Sequence, residues 1–104
     1  MKLSDIKTNT VYTFKLNSGE ELIAKVTQVV AEENTLVIDE PVSVAPGPKG
    51  MGLVPSLFTA NPKISARLNT SSVALIAETD DQVRDKYREA TTGITVPDKK
   101  MILG

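Results

Sequence analysis

The chain contains no cysteine, no histidine and no tryptophan. Without cysteine, disulfides within it and thiolate chemistry are excluded, and the composition fits a reducing cytoplasm. Without histidine it lacks the commonest general base and the commonest transition-metal ligand together. No apolar run approaches the length that spans a membrane. The start, Met1-Lys2-Leu3-Ser4-Asp5, lacks the apolar stretch of a signal peptide, so none is expected. There is also no excess of one charge: the net charge is −1, with both signs interspersed. Phosphate neutralisation supplies much of a nucleic-acid binder's affinity, so RNA or DNA could not be held here by global charge. Such binding needs a local ring of basic groups or a stacking pocket, and aromatic residues make up only 4% of the chain.

The 104 residues that are present suffice for one domain with a single core. The organising stretch runs from Val11 to Val44. In Val11-Tyr12-Thr13-Phe14-Lys15-Leu16, Tyr12, Phe14 and Leu16 share one face while Thr13 and Lys15 share the other. After Asn17-Ser18-Gly19, the residues Leu22, Ala24 and Val26 alternate with Ile23, Lys25 and Thr27. Period two on both sides of a glycine turn predicts two strands joined as a hairpin. The phase slips near Thr27-Gln28, which predicts a bulge or strong bend. A third strand begins at Thr35 after Glu32-Glu33-Asn34 and keeps Leu36, Ile38, Val42 and Val44 on one face. Pro41 lacks an N–H, so the strand needs an edge or a bulge there. The three strands make an antiparallel meander.

Further along, Ala45-Pro46-Gly47-Pro48-Lys49-Gly50-Met51-Gly52 reads as a mobile loop. It has no Gly-Lys-Ser/Thr ending and no helix to follow, so it is not a phosphate-binding loop. Residues 52–59 read as extended, and 63–68 alternate with Ile64, Ala66 and Leu68 inward. After the turn Asn69-Thr70-Ser71-Ser72 comes Val73-Ala74-Leu75-Ile76-Ala77, apolar enough to be covered on both faces. Thr79-Asp80-Asp81-Gln82 matches a capping box, with Thr79 as the cap of a helix over roughly residues 80–91 that ends at Gly93. Val83, Tyr87 and Ala90 share that helix's apolar face. Near the start, Leu3 and Ile6 suit a short helical turn or a frayed lead-in across one end. At the other terminus, residues 94–104 read as an extended tail with an apolar end, disordered or docked on a neighbouring chain.

No nucleophile–base pair and no set of metal ligands emerges, so neither an enzyme nor a cofactor is expected. Glu20 and Glu21 are adjacent on a strand and point to opposite faces. Asp80 and Asp81 sit where a helix dipole favours negative charge.

The order of strands and turns, with Leu16-Asn17-Ser18-Gly19, Asn34, and the turn Asn69-Thr70-Ser71-Ser72 before Val73-Ala74-Leu75-Ile76, resembles the Sm and Sm-like RNA-binding family. Gly19-Glu20-Glu21, Leu53-Val54-Pro55 and Thr91-Thr92-Gly93-Ile94 are similar to small Sm-like proteins carried by tailed phages of marine bacteria. The resemblance implies an all-β, strongly bent five-stranded SH3-type barrel over about residues 11–78 with a C-terminal α-helix. It also implies a homo-oligomeric ring binding single-stranded RNA in the host cytoplasm. Its core would contain Tyr12, Phe14, Leu16, Leu22, Val26, Leu36, Ile38, Val73 and Leu75. The RNA face would present Asn34, Asn69 and Thr70, with Arg67 and Lys63 near the rim. Asn34 equally suits a plain turn, and Lys63 and Arg67 a solvated surface. Where the family has a second glycine, an aspartate and a stacking histidine or aromatic, this chain has Ala24, Val30 and Glu32. Asn69-Thr70 stands where the family has Arg-Gly. A glutamate in a stacking position repels phosphate and offers no π face, so a protein-interaction module without nucleic acid is the alternative.

Overall fold

The computed structural model describes residues 2–92. Gly19-Glu20-Glu21 and Leu53-Val54-Pro55 are within that span, whereas the Gly93 helix stop and the tail 94–104 fall outside it. Strands β1 (Thr10–Leu16) and β2 (Glu21–Val30) pair antiparallel, with Phe14 opposite Leu22 and Tyr12 opposite Ala24. Gly19 closes their turn at φ 94°, a left-handed backbone that a Cβ disfavours, and donates its N–H to the Leu16 carbonyl at 2.9 Å. The bulge expected near Thr27 is present: Val26 faces Ile38, and the next pair is Gln28 with Val37.

Four more strands follow: β3 (Thr35–Gly47), β4 (Gly50–Pro55), β5 (Ala66–Asn69) and β6 (Val73–Glu78), then helix α1 (Asp81–Thr91). Their spatial order is β4-β3-β2-β1-β6, and β5 also pairs with β3. Among the described residues no ladder joins β6 to β4 or β5, so the sheet is curled but open, with six strands where five in a barrel were expected. The extra strand arises because residues 56–65 leave the ladder between Pro55 and Ala66. Pro62 within them has no N–H to give, and Asn61-Pro62 favours a turn. A 3₁₀ turn, Thr70–Ser72, then carries the chain from β5 on β3 across to β6 on β1.

That crossing wraps the sheet over a first core of Ile6, Tyr12, Phe14, Leu22, Ala24, Val26, Leu36 and Ile38. Leu16 and Val73 are partly buried against it. Tyr12 and Phe14 meet ring to ring at 6.5 Å, and the Tyr12 hydroxyl accepts the Lys7 N–H at 2.9 Å. The N-terminal lead-in is thereby tied down, with Leu3–Asp5 as a 3₁₀ turn. A second, smaller core of Val11, Ile23, Val42 and Tyr87 lies on the other face under α1.

Several expectations are corrected. Val42 and Val44 do not share a face with Leu36 and Ile38. Glu40 and Pro41 together oppose Ala24, with Glu40 at φ 48°, and the extra residue shifts the phase of β3 from the first core to the second. Residues 45–52 form no loop but a hairpin, β3 running to Gly47 and pairing with Gly50 across Pro48-Lys49. Leu75 is 69% exposed, because it lies opposite Lys15 on the outer side while Ile76, opposite Phe14, turns inward. Nor is β6 covered on both faces: Ala74 and Ala77 are exposed too. Ile64 precedes β5 and is 68% exposed, although Ala66 and Leu68 pack inward. The helix cap is Asp80, whose carboxylate accepts the Gln82 and Val83 N–H groups. Thr79 is buried instead and shares a hydrogen bond with the Thr13 hydroxyl at 2.9 Å.

Helix α1 is fastened to the kink in β3. The Tyr87 hydroxyl donates to the Asp39 and Glu40 carbonyls, at 2.9 and 3.0 Å, from a side chain packed on Val11, Ile23 and Val42. Burial pushes this phenol above its ordinary range, and the carboxylates of Glu40 and Asp39 push it the same way against an opposing backbone contact at Lys25. Tyr87→Phe should therefore cost about 1 kcal/mol at pH 7. The unfolded phenol ionises near its ordinary value of about 10, before the folded one. Wild-type stability from this group thus falls by about 1.4 kcal/mol per pH unit above that point, and the variant is spared. Urea melts from pH 7 to 11 should show the two proteins converging; a constant gap would contradict the buried, hydrogen-bonded placement.

Candidate nucleic-acid interface

The polar turns meet at one end of the sheet. A 3₁₀ turn, Ala31–Glu33, leads to Asn34 at φ 52° and ψ 43°, a left-handed conformation that asparagine tolerates better than most residues. The Asn34 carbonyl accepts the Thr70 N–H at 2.8 Å and the Thr70 hydroxyl at 3.1 Å. Thr35 pairs with Asn69 in the ladder, so the two turns are held side by side. Asn69 caps its own turn: its Oδ1 accepts both the N–H and the hydroxyl of Ser71, at 2.9 and 2.8 Å. Asn17, from the β1–β2 turn, joins the same group by donating its side-chain amide to the Ser71 carbonyl at 2.9 Å.

Four of the five sequence-derived candidates are thus neighbours: Asn34, Asn69, Thr70 and, through Glu33, Arg67. Arg67 sits opposite Val37 and its guanidinium lies 3.7 Å from the Glu33 carboxylate, with both side chains largely in solvent. Exposed pairs of this kind contribute little stability, but each cancels the other's long-range field. Lys63 is not part of the group. It lies in residues 56–65, before Ala66, whereas Asn69 and Thr70 lie at the far end of β5. There its N–H bonds the Asn61 side chain at 2.9 Å.

Chemically the cluster offers amides and hydroxyls. The Asn34 side chain makes no hydrogen bond among the described residues and presents a donor and an acceptor to solvent, the pair that can address a base edge. Glu32 and Glu33 are exposed next to it, and among the described residues only Glu33 of the two has a cationic partner. Elsewhere the acidic pairs are dispersed. Glu20 accepts from the Ser43 hydroxyl, Glu21 faces Lys15, and Asp80 caps α1. Among the described residues no three acidic, cysteine or histidine side chains are grouped to hold a metal ion.

One feature escaped the sequence pattern. A groove of about 500 Å³ runs between β4, residues 56–65 and the end of α1, with Pro55, Leu57, Phe58, Ile64, Ala90 and Thr91 in its walls. Phe58 is 67% exposed and Leu57 51%. The available signal was Leu57-Phe58 set among Pro55, Ser56, Thr59, Asn61 and Pro62, large apolar groups in a segment rich in turn formers. No protein-family model matches the chain, and no curated protein matches it.

Because Asn34 carries both a turn and a candidate contact, two substitutions separate the roles. Asn34→Gly accepts the left-handed backbone and should melt within about 0.5 kcal/mol of wild type. Asn34→Val strains it and should cost about 1–2 kcal/mol. Indistinguishable thermal melts of the two variants would mean that the turn is not held in this conformation.

Proposed function

We propose that this chain is a non-enzymatic Sm-like module that assembles into a homo-oligomeric ring and binds single-stranded RNA on the face carrying Asn34. The observation that carries the reading is the double hydrogen bond from Thr70 to the Asn34 carbonyl. It joins the two turns in which the resemblance puts the RNA contacts and leaves the Asn34 amide outward. One such contact is weak, and repetition around a ring turns it into useful avidity. In this reading the curled sheet is the family's bent barrel with its fourth strand split by residues 56–65. A phage-encoded protein acting in the host cytoplasm fits the same picture.

Assembly is supported by two edges that are unpaired among the described residues, β6 at one side of the sheet and β4 with β5 at the other. Unprotected edges tend to be paired, and head-to-tail pairing closes a ring where the rotation permits. Light scattering should return a discrete multiple of the 11.2 kDa chain across a wide concentration range; a monomer throughout would sink the ring.

A second reading, an Sm-like structural or protein-interaction module without nucleic acid, is favoured by Glu32 and Glu33 beside Asn34. Ring symmetry multiplies their repulsion of phosphate. Titration with oligo-U and oligo-A decides between the two. The RNA reading expects modest binding that weakens steeply with salt, is lost in Asn34→Gly, and strengthens in Glu32→Tyr, which removes a charge and adds a stacking surface. No binding by wild type at low salt, with none created by Glu32→Tyr, gives the protein-interaction reading the lead.

A further inference from the structure

The two turns that meet at Asn34 share one hydrogen-bonding polarity. A hydroxyl has a single proton to give, and in this cluster each one is directed inward. Thr35 donates to the Glu33 carbonyl at 3.0 Å and Thr70 to the Asn34 carbonyl at 3.1 Å. Ser71 donates to the Asn69 side chain at 2.8 Å and Ser72 to the Asn69 carbonyl at 2.7 Å. What these groups have left to offer a ligand is lone pairs. The Glu32 carboxylate, exposed on the 3₁₀ turn that leads into Asn34, adds acceptors of the same kind. Arg67 stands beside Glu33, so Glu32 is the carboxylate of the two without a cationic partner among the described residues. Donors remain on the amides of Asn34 and Asn69, the latter through Nδ2, because its Oδ1 already takes two protons from Ser71.

A ligand that suits this face brings donors, and a phosphate, which has none, suits it least. Among the four bases only guanine carries two adjacent donors, N1–H and N2–H, on its pairing edge, followed by the O6 acceptor. Uracil has one donor between two acceptors, and adenine and cytosine each set one amino group beside a bare ring nitrogen. A carboxylate next to an amide N–H reads acceptor, acceptor, donor, which is the complement of guanine.

We infer that the Asn34 face reads guanine, with the Glu32 carboxylate taking N1–H and N2–H and the Asn34 amide giving an N–H to O6. The inference rests on the RNA-binding reading above and names the base for it. Glu32 is then a specificity-determining residue, although its charge opposes the phosphates. Charge-assisted hydrogen bonds are roughly twice as strong as neutral ones, so the same charge supplies the discrimination at the base edge. Repetition of the contact around a ring raises the selectivity of a strand that carries several guanines.

Fluorescence anisotropy at low salt tests this with oligo-U in which every third base is replaced by guanosine, inosine or adenosine. Inosine keeps N1–H and O6 and lacks the N2 amine. The guanosine oligomer should bind about tenfold tighter than oligo-U, and inosine should lose most of that gain. Glu32→Gln, with circular dichroism unchanged, should weaken binding of the guanosine oligomer and strengthen binding of oligo-U, because it removes both an acceptor and a repelling charge. That crossover separates base reading from simple repulsion. Equal binding of all oligomers by wild type, a guanosine gain kept in full by inosine, or Glu32→Gln strengthening every oligomer alike overturns the inference and leaves the RNA reading standing. Binding of none of them by wild type overturns both.

Discussion

A single strand that pairs with three others cannot remain flat, and the bend that β3 takes at Glu40-Pro41 governs the rest of the molecule. Its first half holds β5 and faces the core around Phe14; its second half holds β4 and faces the core around Ile23. One extra residue in the ladder, with Glu40 in a left-handed conformation, accomplishes the change of side. Such a backbone persists only when its surroundings over-determine it. Here the Tyr87 hydroxyl satisfies both carbonyls at the kink, and Ala24, with no side chain beyond Cβ, faces the two bulged residues. The helix that supplies Tyr87 roofs the second core, so the kink and the roof support each other.

Much of this was readable from residue order, and the failures have one physical form. Strand existence and the faces of Tyr12, Phe14, Leu22 and Val26 follow from period two, because a half-buried ladder leaves no other arrangement of apolar groups. Bulges were legible as positions, at Thr27-Gln28 and at Pro41, since one breaks the alternation and the other removes a donor. Their consequence was not legible: a phase shift at Glu40 leaves Val42 and Val44 with the same parity as Leu36 and Ile38 on the opposite side of the sheet. A register shift between Lys15 and Leu16 likewise put Ile76 in the core and Leu75 in solvent. Thr79 and Asp80 both suit an N-cap, and the hydroxyl of Thr13, distant in sequence, is what claims Thr79 for the interior.

The candidate site divides in the same manner. Asn34, Asn69 and Thr70 were recognisable as turn residues, and the ladder of β3 with β5 makes them neighbours. Lys63 was placed near the rim beside Arg67, yet it falls in residues 56–65, before β5 begins, while Asn69 and Thr70 lie at the far end of that strand. The apolar groove had no periodic signature at all, because residues 56–65 belong to neither a strand nor a helix. A surface made by the meeting of a loop, a strand edge and a helix end is a property of the tertiary structure alone.

The division of one strand pair between two interiors has a thermodynamic consequence. Phe14 and Ile23 belong to opposite sides of the same hairpin, and the β-sheet itself is the wall between their packing partners. Substitutions confined to one interior compete for the same space and couple, whereas those in separate interiors share few partners and tend towards additivity. The chain can therefore repack beneath α1, at Val11, Ile23, Val42 or Tyr87, while the larger interior that underlies the polar turns keeps its shape.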